Sequence, residues 1–376
     1  MNRKVIAAGH ICLDITPVFP AQRKVTKLEE LLVPGKLLHM EPADVHTGGS
    51  VANTGLALKL LGNDVTLMGK IGNDAFGKMV ESILAQSGAG NLLVDVQSST
   101  SYSIVLAVPG ADRIFLHNPG ANDTFTGCDI PEEALDDAVL FHFGYPPLMK
   151  RMYEEDGKEL SAIFARMKAK GIATSLDMAA VDPNSEAGKV KWTALLAGVL
   201  PYVDFFVPSF EELCFMLDRQ KFDRLNSLSG DMISYLDMER DVKPLAEKLL
   251  ALGCGAVLIK CGTAGMYYRT GNMTEVGERL ELDTGIWADK EGFQPCFRAE
   301  VVRSATGAGD ASIAAFLTAV LRGKAPADCV ALAAAEGACA VTSYDALSGL
   351  KSIEELNAKI ASGWPLNKGE SQCLQI

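Results

Sequence analysis

Short apolar runs alternate with amphipathic segments along most of this chain. The apolar runs are continuous, as in strands buried on both faces, and the amphipathic segments repeat with the period of a helix. This alternation predicts an α/β fold, in which helices flank a mainly parallel central β-sheet. The predicted strands cover residues 4–8, 65–68, 139–143, 172–176, 205–207 and 257–260; the predicted helices cover 52–61, 74–86, 158–170, 191–200, 210–217, 244–252, 311–321 and 327–341.

Two regions interrupt the alternation and predict a small second sheet. Residues 16–46 contain several prolines and have weak periodicity, and Pro109-Gly110 separates two strand-like runs, which is typical of a hairpin. We expect these regions to form a β-sheet lid that covers approximately residues 15–46 and 98–122.

The remaining pattern is that of one large domain. We expect a single α/β domain over residues 1–365, with a polar surface insertion at 219–241 and a flexible tail at 366–376. No internal repeat divides the sequence further.

Composition and charge narrow the classes of partner. The chain of 376 residues is 48% hydrophobic and carries a formal net charge of −12, so it lacks the basic surface expected for nucleic-acid or anionic-membrane binding. No apolar run reaches the length of about 18 residues needed to span a bilayer, and the start of the chain does not resemble a signal peptide. These features predict a cytoplasmic protein.

The cysteines and histidines show no metal-site pattern. The nine cysteines are scattered, with no CxxC pair, and the five histidines lack the spacing of metal ligands. We interpret most of the cysteines as small buried side chains with free thiols in a reducing compartment.

The sharpest chemical feature is the segment SATGAGD at residues 304–310. It follows a strand-like run at 300–302 and precedes the predicted helix at 311. Glycines at a helix N-terminus leave backbone N–H groups able to bind an anion, and the helix dipole favours negative charge there. Asp310 would then be placed to accept a proton from an attacking hydroxyl while these donors hold a phosphoryl group.

The residues of this segment, taken alone, also allow two other interpretations. Asp310 can simply stabilise the helix dipole at the end of a glycine-rich turn. Gly307 and Gly309 also match the first two glycines of a dinucleotide-binding fingerprint, although its third position is Ser312.

A second glycine-containing turn occurs near the N-terminus. Gly48 and Gly49 stand before a predicted helix, where a ligand can approach the backbone closely, and Asn53 offers both a donor and an acceptor for neighbouring hydroxyls. Taken alone, such a pattern is more often a turn and a helix start.

Three motifs in register resemble the PfkB family of carbohydrate kinases, the ribokinase-like kinases. They are Gly48-Gly49 with Asn53, the segment GKIGNDAFG at residues 69–77, and the segment TGAGD at 306–310. Asp14 after the first strand, Gly120-Ala121-Asn122 after the lid hairpin, and the segment KCGTAG at 260–265 extend the resemblance, which runs from about residue 4 to about residue 360.

The resemblance implies a ribokinase-like fold with a β lid and a role for each matching residue. Asp310 would be the catalytic base, working with ATP and Mg²⁺ on a small sugar-like substrate. Many members of this family pair through their lids, which implies a homodimer. The implied site residues are Gly307, Ala308 and Gly309 for the anion hole; Asp14, Gly48, Gly49, Asn53 and Asn122 for the substrate; Lys260, Gly262, Gly265 and Thr306 for the nucleotide; and Glu212 for the metal, directly or through water.

The chain departs from the family pattern at several positions. The family's Asn-x-x-Glu motif appears as Ser209 and Glu212, which is also a capping-box pattern. Ser304 replaces the aspartate that usually begins the motif before the base, which leaves dependence on a monovalent cation open. Ser50 and Gly144 stand where ribose-specific members carry lysine and glutamate, so ribose ranks low as a substrate.

A sugar kinase is therefore the leading hypothesis. A nucleoside kinase of the same fold is the main alternative. A dinucleotide-dependent oxidoreductase is a weaker alternative, because no clear acidic residue at a strand end follows the segment 307–310 by about 20 positions. A non-catalytic ligand-binding homologue is also weaker, because this segment is intact.

Overall fold

Residues 3–20, 33–90, 92–108, 114–228 and 230–367 are described by a computed structural model. Their centre is an eight-stranded sheet in the order β14-β13-β12-β11-β10-β9-β1-β4. The six strands from β12 to β4 run parallel, and β13 and β14 continue the sheet antiparallel. The strands are β1 Lys4–Gly9, β2 Cys12–Val18, β3 Glu41–Gly48, β4 Asp64–Met68, β5 Lys70–Gly72, β6 Leu93–Asp95, β7 Tyr102–Leu106, β8 Ile114–Asn118, β9 Ala138–Gly144, β10 Ala173–Leu176, β11 Phe205–Phe206, β12 Ala256–Cys261, β13 Gly265–Thr270 and β14 Glu291–Pro295.

Helices cover both faces of this sheet, as the alternation predicts. They are α1 Ser50–Leu60, α2 Ala75–Gln86, α3 Lys150–Tyr153, α4 Lys158–Ala169, α5 Trp192–Val199, α6 Phe210–Leu217, α7 Arg219–Asn226, α8 Lys243–Ala251, α9 Thr274–Leu280, α10 Thr284–Trp287, α11 Ala308–Leu321, α12 Pro326–Ala340 and α13 Ile353–Ala361. No helix among the described residues has the length and apolar character that a bilayer crossing requires.

Two hydrophobic layers fill the space between the sheet and its helices. On one face Phe141 and Phe143 of β9 pack against Phe164 of α4 with their rings edge to face or tilted. On the other face Phe205 of β11 packs against Phe316 of α11. Alternate side chains of one strand point to opposite faces, so strands buried on both sides need a continuous apolar sequence.

A separate four-stranded sheet forms the lid, in the order β3-β2-β7-β8. It begins at Cys12, slightly earlier than the predicted boundary at residue 15, and β7 and β8 form the predicted antiparallel pair. The predicted Pro109-Gly110 turn lies outside the described residues. The short parallel pair of β5 and β6 stands beside the lid.

Two expectations about local structure are wrong. Residues 300–302 do not form a strand: they lie in irregular backbone, and Val302 is 71% exposed. The 219–241 segment is not an irregular surface insertion, because it contains α7 and its residues Leu225 and Met232 are buried in the core. These apolar side chains pack the segment against the domain.

Leu366 and Asn367, the first two residues of the predicted tail, contact the domain. Leu366 forms a bridge with Phe297, and the N–H of Asn367 donates to the carbonyl of Cys296. The predicted tail from residue 368 onwards lies outside the described residues.

The cysteines within the described residues are free thiols, as expected. Most of them are buried, with Cys128 exposed and Cys296 partly exposed. Burial raises the pKa of the Cys254 and Cys261 thiols to about 12, so both stay protonated at neutral pH.

Glu336 is a buried carboxyl on α12 that stabilises the chain beyond this helix. Both of its oxygens lie near the N–H of Lys351, at 3.1 and 3.3 Å, and the residue has no exposed surface. Burial raises the pKa of Glu336 to about 8. The folded protein therefore retains a proton between about pH 4.3 and 8 that the unfolded chain releases, so rising pH removes stability in this range.

We expect Glu336→Gln to become progressively more stable than the wild type from pH 5 to pH 8. Glutamine mimics the protonated carboxyl and does not titrate, so the difference should grow by up to about 1.4 kcal/mol per pH unit. Urea unfolding at several pH values measures it, with the exposed Glu278→Gln as control. A difference between Glu336→Gln and wild type that stays constant across this range would refute the assignment.

Candidate active site

The carboxyl ends of the parallel strands bring polar residues from distant parts of the sequence together. His10 follows β1 and Tyr145 follows β9, and the N–H of His10 donates to the Gly144 carbonyl at 3.2 Å. Asp177 follows β10, and its backbone bonds with Phe143 and Tyr145. Ligands of open α/β sheets bind outside the carboxyl ends of the strands, so this edge is the expected location of a site.

Asp310 lies in the first turn of α11, at the third helical position. The helix begins at Ala308, three residues before the predicted start, because Gly307 adopts the left-handed conformation (φ 72°) that precedes it. Ala346 packs so closely that a Cβ on Gly307 would lie 2.2 Å from the Ala346 methyl. Glycine is therefore required here by both conformation and space.

The three residues predicted to form an anion hole lie at the same helix end. The first N–H groups of a helix lack partners within it. However, the N–H of Ala308 donates to the Ala305 carbonyl at 3.3 Å, which makes it the least available of the three predicted donors. Thr306, predicted on the nucleotide side, donates its N–H to the Ser304 hydroxyl at 3.1 Å and so stabilises the turn before the helix.

Three donors hold the Asp310 carboxylate, which is only 4% exposed. The Thr54 hydroxyl donates to Oδ1 at 2.7 Å. The Tyr145 hydroxyl donates to Oδ2 at 2.7 Å, and the Asn53 amide reaches the same oxygen at 3.2 Å. The structure thus places Asn53, predicted to bind substrate, directly against the predicted base.

Lys260 supplies a positive charge beside Gly309. Its ammonium nitrogen bonds with Asp177 Oδ1 at 2.7 Å, and it lies 3.7 Å from the position that a Cβ on Gly309 would take. Burial alone lowers the pKa of Lys260, but the neighbouring carboxylates of Asp177, Glu212 and Asp310 outweigh burial and raise this pKa. Lys260 therefore stays charged at neutral pH.

Asp177 is a further candidate site residue, which the sequence did not predict. Burial raises the pKa of Asp177, against the attraction of Lys260. Its position directly after the predicted strand 172–176 was an available signal, because carboxylates at such strand ends often belong to sites.

Glu212, the predicted metal ligand, takes part in the capping box that starts α6. Its Oε2 accepts from the N–H of Ser209 at 2.6 Å, and the Ser209 hydroxyl accepts from the N–H of Glu212 at 3.2 Å. Across the described part of the chain, no three histidine, cysteine or acidic side chains come together as metal ligands. The site thus offers scattered carboxylates and no protein-only metal cage.

Asp14 lies on the lid side of the site, against the glycine turn. A Cβ on Gly48 would lie 2.2 Å from an Asp14 carboxylate oxygen, so the glycine makes room for this carboxylate. Burial raises the pKa of Asp14, although the donors Cys12 and Ser103 oppose this effect. A Cβ on Gly49, which has φ 84°, would lie 2.6 Å from His10 Nδ1.

Two histidines without a predicted role join the lid to the core. Nε2 of His10 lies 3.3 Å from Nε2 of His117 on β8, and Nδ1 of His117 lies 3.0 Å from the Ser103 hydroxyl. Burial, and for His10 also the neighbouring His117, holds the pKa of both imidazoles below the ordinary value. Both rings are therefore neutral at pH 7 and can bond with uncharged groups.

The other predicted site residues have structural partners. Asn122 is fully buried and bonds with the backbone of Ile11 on both sides of its amide, at 2.9 and 3.1 Å, so it fixes the turn between β1 and β2. Gly262 and Gly265 turn the chain from β12 into β13 just beyond Lys260. Gly265 has φ 136° and leaves no room for a Cβ against the Gln294 carbonyl, 2.1 Å away.

Gly144 and Ser50, the positions that argued against ribose, are in contact. A Cβ on Gly144 would lie 2.1 Å from Ser50 Oγ and 2.3 Å from Ser50 Cβ. We expect Gly144→Ala to cost about 1–3 kcal/mol of stability. Turnover should fall as well, because the overlap displaces the start of α1, which carries Asn53 and Thr54.

Adding Ser50→Gly should restore most of this loss. The substitution removes both overlapping atoms, and Ser50 Oγ makes no hydrogen bond within the described residues. Thermal unfolding of the single and double variants measures the recovery. Gly198→Ala on α5, where the added methyl has ordinary space, is the matched control. A double variant no more stable than Gly144→Ala would contradict the predicted overlap.

The sequence is similar to known carbohydrate kinases. The sequence model for the pfkB family of carbohydrate kinases matches residues 11–353. Fructokinase-1 of Oryza sativa subsp. japonica is 29% identical over 145 residues, which are 37% of this chain and 41% of that relative. The chain thus spans less than half of the length of this curated relative.

Solved structures share the fold at low identity. A fructokinase from Xylella fastidiosa with bound ATP aligns with a TM-score of 0.69 and 20% identity, over 96% of this chain and 99% of that one. A nucleoside kinase from Methanocaldococcus jannaschii aligns with a TM-score of 0.65 and 18% identity, over 96% and 99%. The fold is therefore ribokinase-like. Because the family match extends from before the Gly48-Gly49 turn to beyond the helix that carries Asp310, this chain belongs to the pfkB family of carbohydrate kinases.

Proposed function

We propose that this protein is an ATP-dependent kinase that transfers the γ-phosphate to a hydroxyl of a small, uncharged sugar-like molecule. One observation carries the proposal. The buried Asp310 carboxylate stands in the first turn of α11 beside the helix-end N–H groups, with the Lys260 ammonium against Gly309. A proton acceptor beside an anion site and a fixed positive charge is the arrangement that phosphoryl transfer to an alcohol requires.

In the proposed reaction Asp310 acts on the acceptor and the helix end acts on the phosphate. The acceptor oxygen attacks the γ-phosphorus, and its proton passes to the Asp310 carboxylate. The bond from the γ-phosphorus to the β–γ bridging oxygen breaks, and ADP leaves with the electron pair. The N–H groups of Gly307 and Gly309, together with Lys260, stabilise the charge on the transferring phosphoryl group.

We propose Mg²⁺ as the metal that accompanies ATP. Mg²⁺ is usually bound by one or two carboxylates, waters and substrate phosphates rather than by a cage of protein ligands. The scattered carboxylates Glu212 and Asp177 fit this mode, with Glu212 reaching the ion directly or through water while its Oε2 continues to cap α6. The ion would neutralise phosphate charge.

The proposed acceptor subsite is formed by Asp14, Asn53 and the neutral imidazoles of His10 and His117. A carboxylate and two uncharged rings favour hydroxyl groups and disfavour an anionic acceptor such as a sugar acid. Fructose, named in the curated relative, is therefore the first acceptor to test, followed by other neutral hexoses and polyols.

The test is ADP release with a panel of acceptors. We expect a neutral sugar or polyol to raise ADP production well above the rate with ATP and Mg²⁺ alone. The panel includes sugar acids and nucleosides, since a nucleoside kinase is the main alternative. Turnover with nucleosides but not with sugars would move the assignment to that alternative, and no turnover with any acceptor would reject the proposed activity.

We further propose that two chains associate through their lids. We also propose that the protein works in a reducing cytoplasm. Phe115 and Leu116 on β8 are 55% and 51% exposed, which leaves apolar surface on the lid for a second copy to cover. Free thiols such as Cys128 fit a reducing compartment. Sedimentation of the wild type and of Phe115→Ser tests the dimer, because the variant should dissociate at a concentration where the wild type remains paired.

A further inference from the structure

Tyr145 is the unexpected partner of the proposed base. It follows β9 in the left-handed conformation, with φ 65° and ψ 41°, which is uncommon for a residue with a side chain. Its ring is partly buried, with its centroid 6.1 Å from that of His10, and its hydroxyl donates to Asp310 Oδ2 at 2.7 Å. Backbone strain of this kind persists where the surrounding structure fixes it, often at functional sites.

The phenol is a donor that keeps its proton. Burial raises the pKa of Tyr145, and the nearby carboxylates of Asp310 and Asp177 raise it further. Tyr145 therefore cannot replace Asp310 as a base at neutral pH. It can only supply a hydrogen bond to the Asp310 carboxylate.

The hydrogen bonds on Asp310 leave little room for another donor. A carboxylate has about four lone-pair positions. Tyr145 and Asn53 take both positions on Oδ2, and Thr54 takes one on Oδ1. The remaining position is on Oδ1, beside the fully buried Thr54, whereas Oδ2 lies beside the partly exposed Tyr145. An acceptor hydroxyl must compete with these donors for the carboxylate before it can give up its proton. Water must compete for the same positions, and it is small, abundant and the usual side reactant in phosphoryl transfer.

We propose that the Tyr145 hydroxyl covers Asp310 Oδ2 and thereby prevents water from being activated until a sugar-like acceptor replaces it. Replacing one hydroxyl by another changes the hydrogen bonding at Oδ2 very little. The exchange therefore needs additional contacts elsewhere, which an acceptor makes with residues such as Asp14 and which water does not make. Tyr145 acts through Asp310 and is a positioning residue that discriminates between an alcohol and water.

The consequence of losing this hydroxyl can be written as a balanced reaction. Without it, a water molecule can bond with Asp310 Oδ2. The water oxygen attacks the γ-phosphorus, one water proton passes to Asp310, and the bond to the β–γ bridging oxygen breaks. ADP leaves with that electron pair, and inorganic phosphate replaces the sugar phosphate as product. This inference rests on the proposed kinase function.

The test compares Tyr145→Phe with the matched variant Tyr267→Phe. Tyr267 also donates to a carboxylate, Glu291 Oε2 at 2.9 Å, but on the antiparallel edge of the sheet. Phosphate release from ATP and Mg²⁺ without acceptor, and ester formation with the best acceptor, are measured for both. Tyr145→Phe should raise acceptor-independent phosphate release by about tenfold, the equivalent of one hydrogen bond, and so raise the ratio of phosphate release to ester formation.

A second variant, Tyr145→Asn, tests the same prediction in case Tyr145→Phe folds poorly. Asparagine is well suited to the left-handed conformation at position 145 but is too short to reach Asp310 as the phenol does. Tyr145→Asn should therefore also raise acceptor-independent phosphate release. Tyr267→Phe should leave the ratio of phosphate release to ester formation at the wild-type value.

The outcomes separate this inference from the proposed function. If the wild type makes a sugar phosphate and neither Tyr145 variant releases more phosphate without acceptor than the wild type, the role of Tyr145 is wrong and the kinase function stands. If the wild type transfers phosphate to no acceptor and releases none, the proposed function is wrong, and the inference about Tyr145 is rejected with it.

Discussion

Asp310→Asn should lower kcat by about 10²–10⁴-fold while the protein still folds and binds ATP. Asparagine has the shape of aspartate, and its amide can rotate so that its oxygen accepts from Tyr145 and Asn53 while its nitrogen faces Thr54. What it cannot do is accept the proton of the attacking hydroxyl. Initial rates at saturating ATP and acceptor measure the effect.

Asp204→Asn is the matched control for this variant. Asp204 is also a buried aspartate, but it pairs with Arg279 and bonds with the N–H of Thr174, away from the carboxyl ends of the strands. Its replacement should reduce stability and leave kcat near the wild-type value. Wild-type turnover by Asp310→Asn would show that another group takes the proton.

Lys260→Met should be damaging for two separable reasons. Without Lys260, the buried Asp177 has no other cation at bonding distance among the described residues, so it must stay charged without compensation or bind a proton. Breaking a buried ion pair in this way costs about 3–5 kcal/mol of stability. Losing the positive charge beside Gly309 should also lower kcat by about 10²–10³-fold. Urea unfolding and steady-state kinetics measure the two effects.

The double variant Lys260→Met with Asp177→Asn separates stability from catalysis. Asparagine removes the unpaired buried charge, so the double variant should regain much of the lost stability. It should not regain turnover, because no positive charge returns to the phosphoryl site. Recovery of turnover together with stability would mean that Lys260 is needed only for folding.

The sequence predicts well those elements whose bounds are determined by residues close together in the chain. The helix over residues 210–217 is found with its predicted bounds, because Ser209 and Glu212 form a capping box that marks its first turn. The helix of Asp310 begins earlier than predicted, because its start depends on the left-handed Gly307 packed against Ala346. A contact with a residue almost forty positions away has no local signal.

The two antiparallel strands at the edge of the central sheet also depend on contacts that have no local signal in the sequence. The strand β13 contains Gly265 and alternates poorly, and β14 ends in Pro295, so neither has the apolar run of the parallel strands. Both strands are formed by pairing with β12 and with each other. Strand formation at a sheet edge depends on such partners more than on intrinsic preference.

Only those residues of the candidate site that lie within the family motifs could be predicted from the sequence. Asp310, Asn53 and Lys260 lie in segments that resemble the family, and the structure brings them to one edge of the sheet. Thr54 and Tyr145, the other donors to Asp310, lie outside those motif residues, and their contacts with Asp310 span 256 and 165 positions. Contacts between such distant residues arise from the sheet topology, which places the ends of β1 and β9 next to each other.

The most direct test of the central claim is ³¹P NMR of the reaction of the wild-type protein with ATP, Mg²⁺ and a neutral sugar. The account predicts that the γ-phosphate signal of ATP declines while a phosphate monoester signal grows in equal amount, and that the Asp310→Asn variant shows neither change on the same time scale. A γ-phosphate signal that declines only into inorganic phosphate, or an ester formed at the wild-type rate by Asp310→Asn, would contradict it.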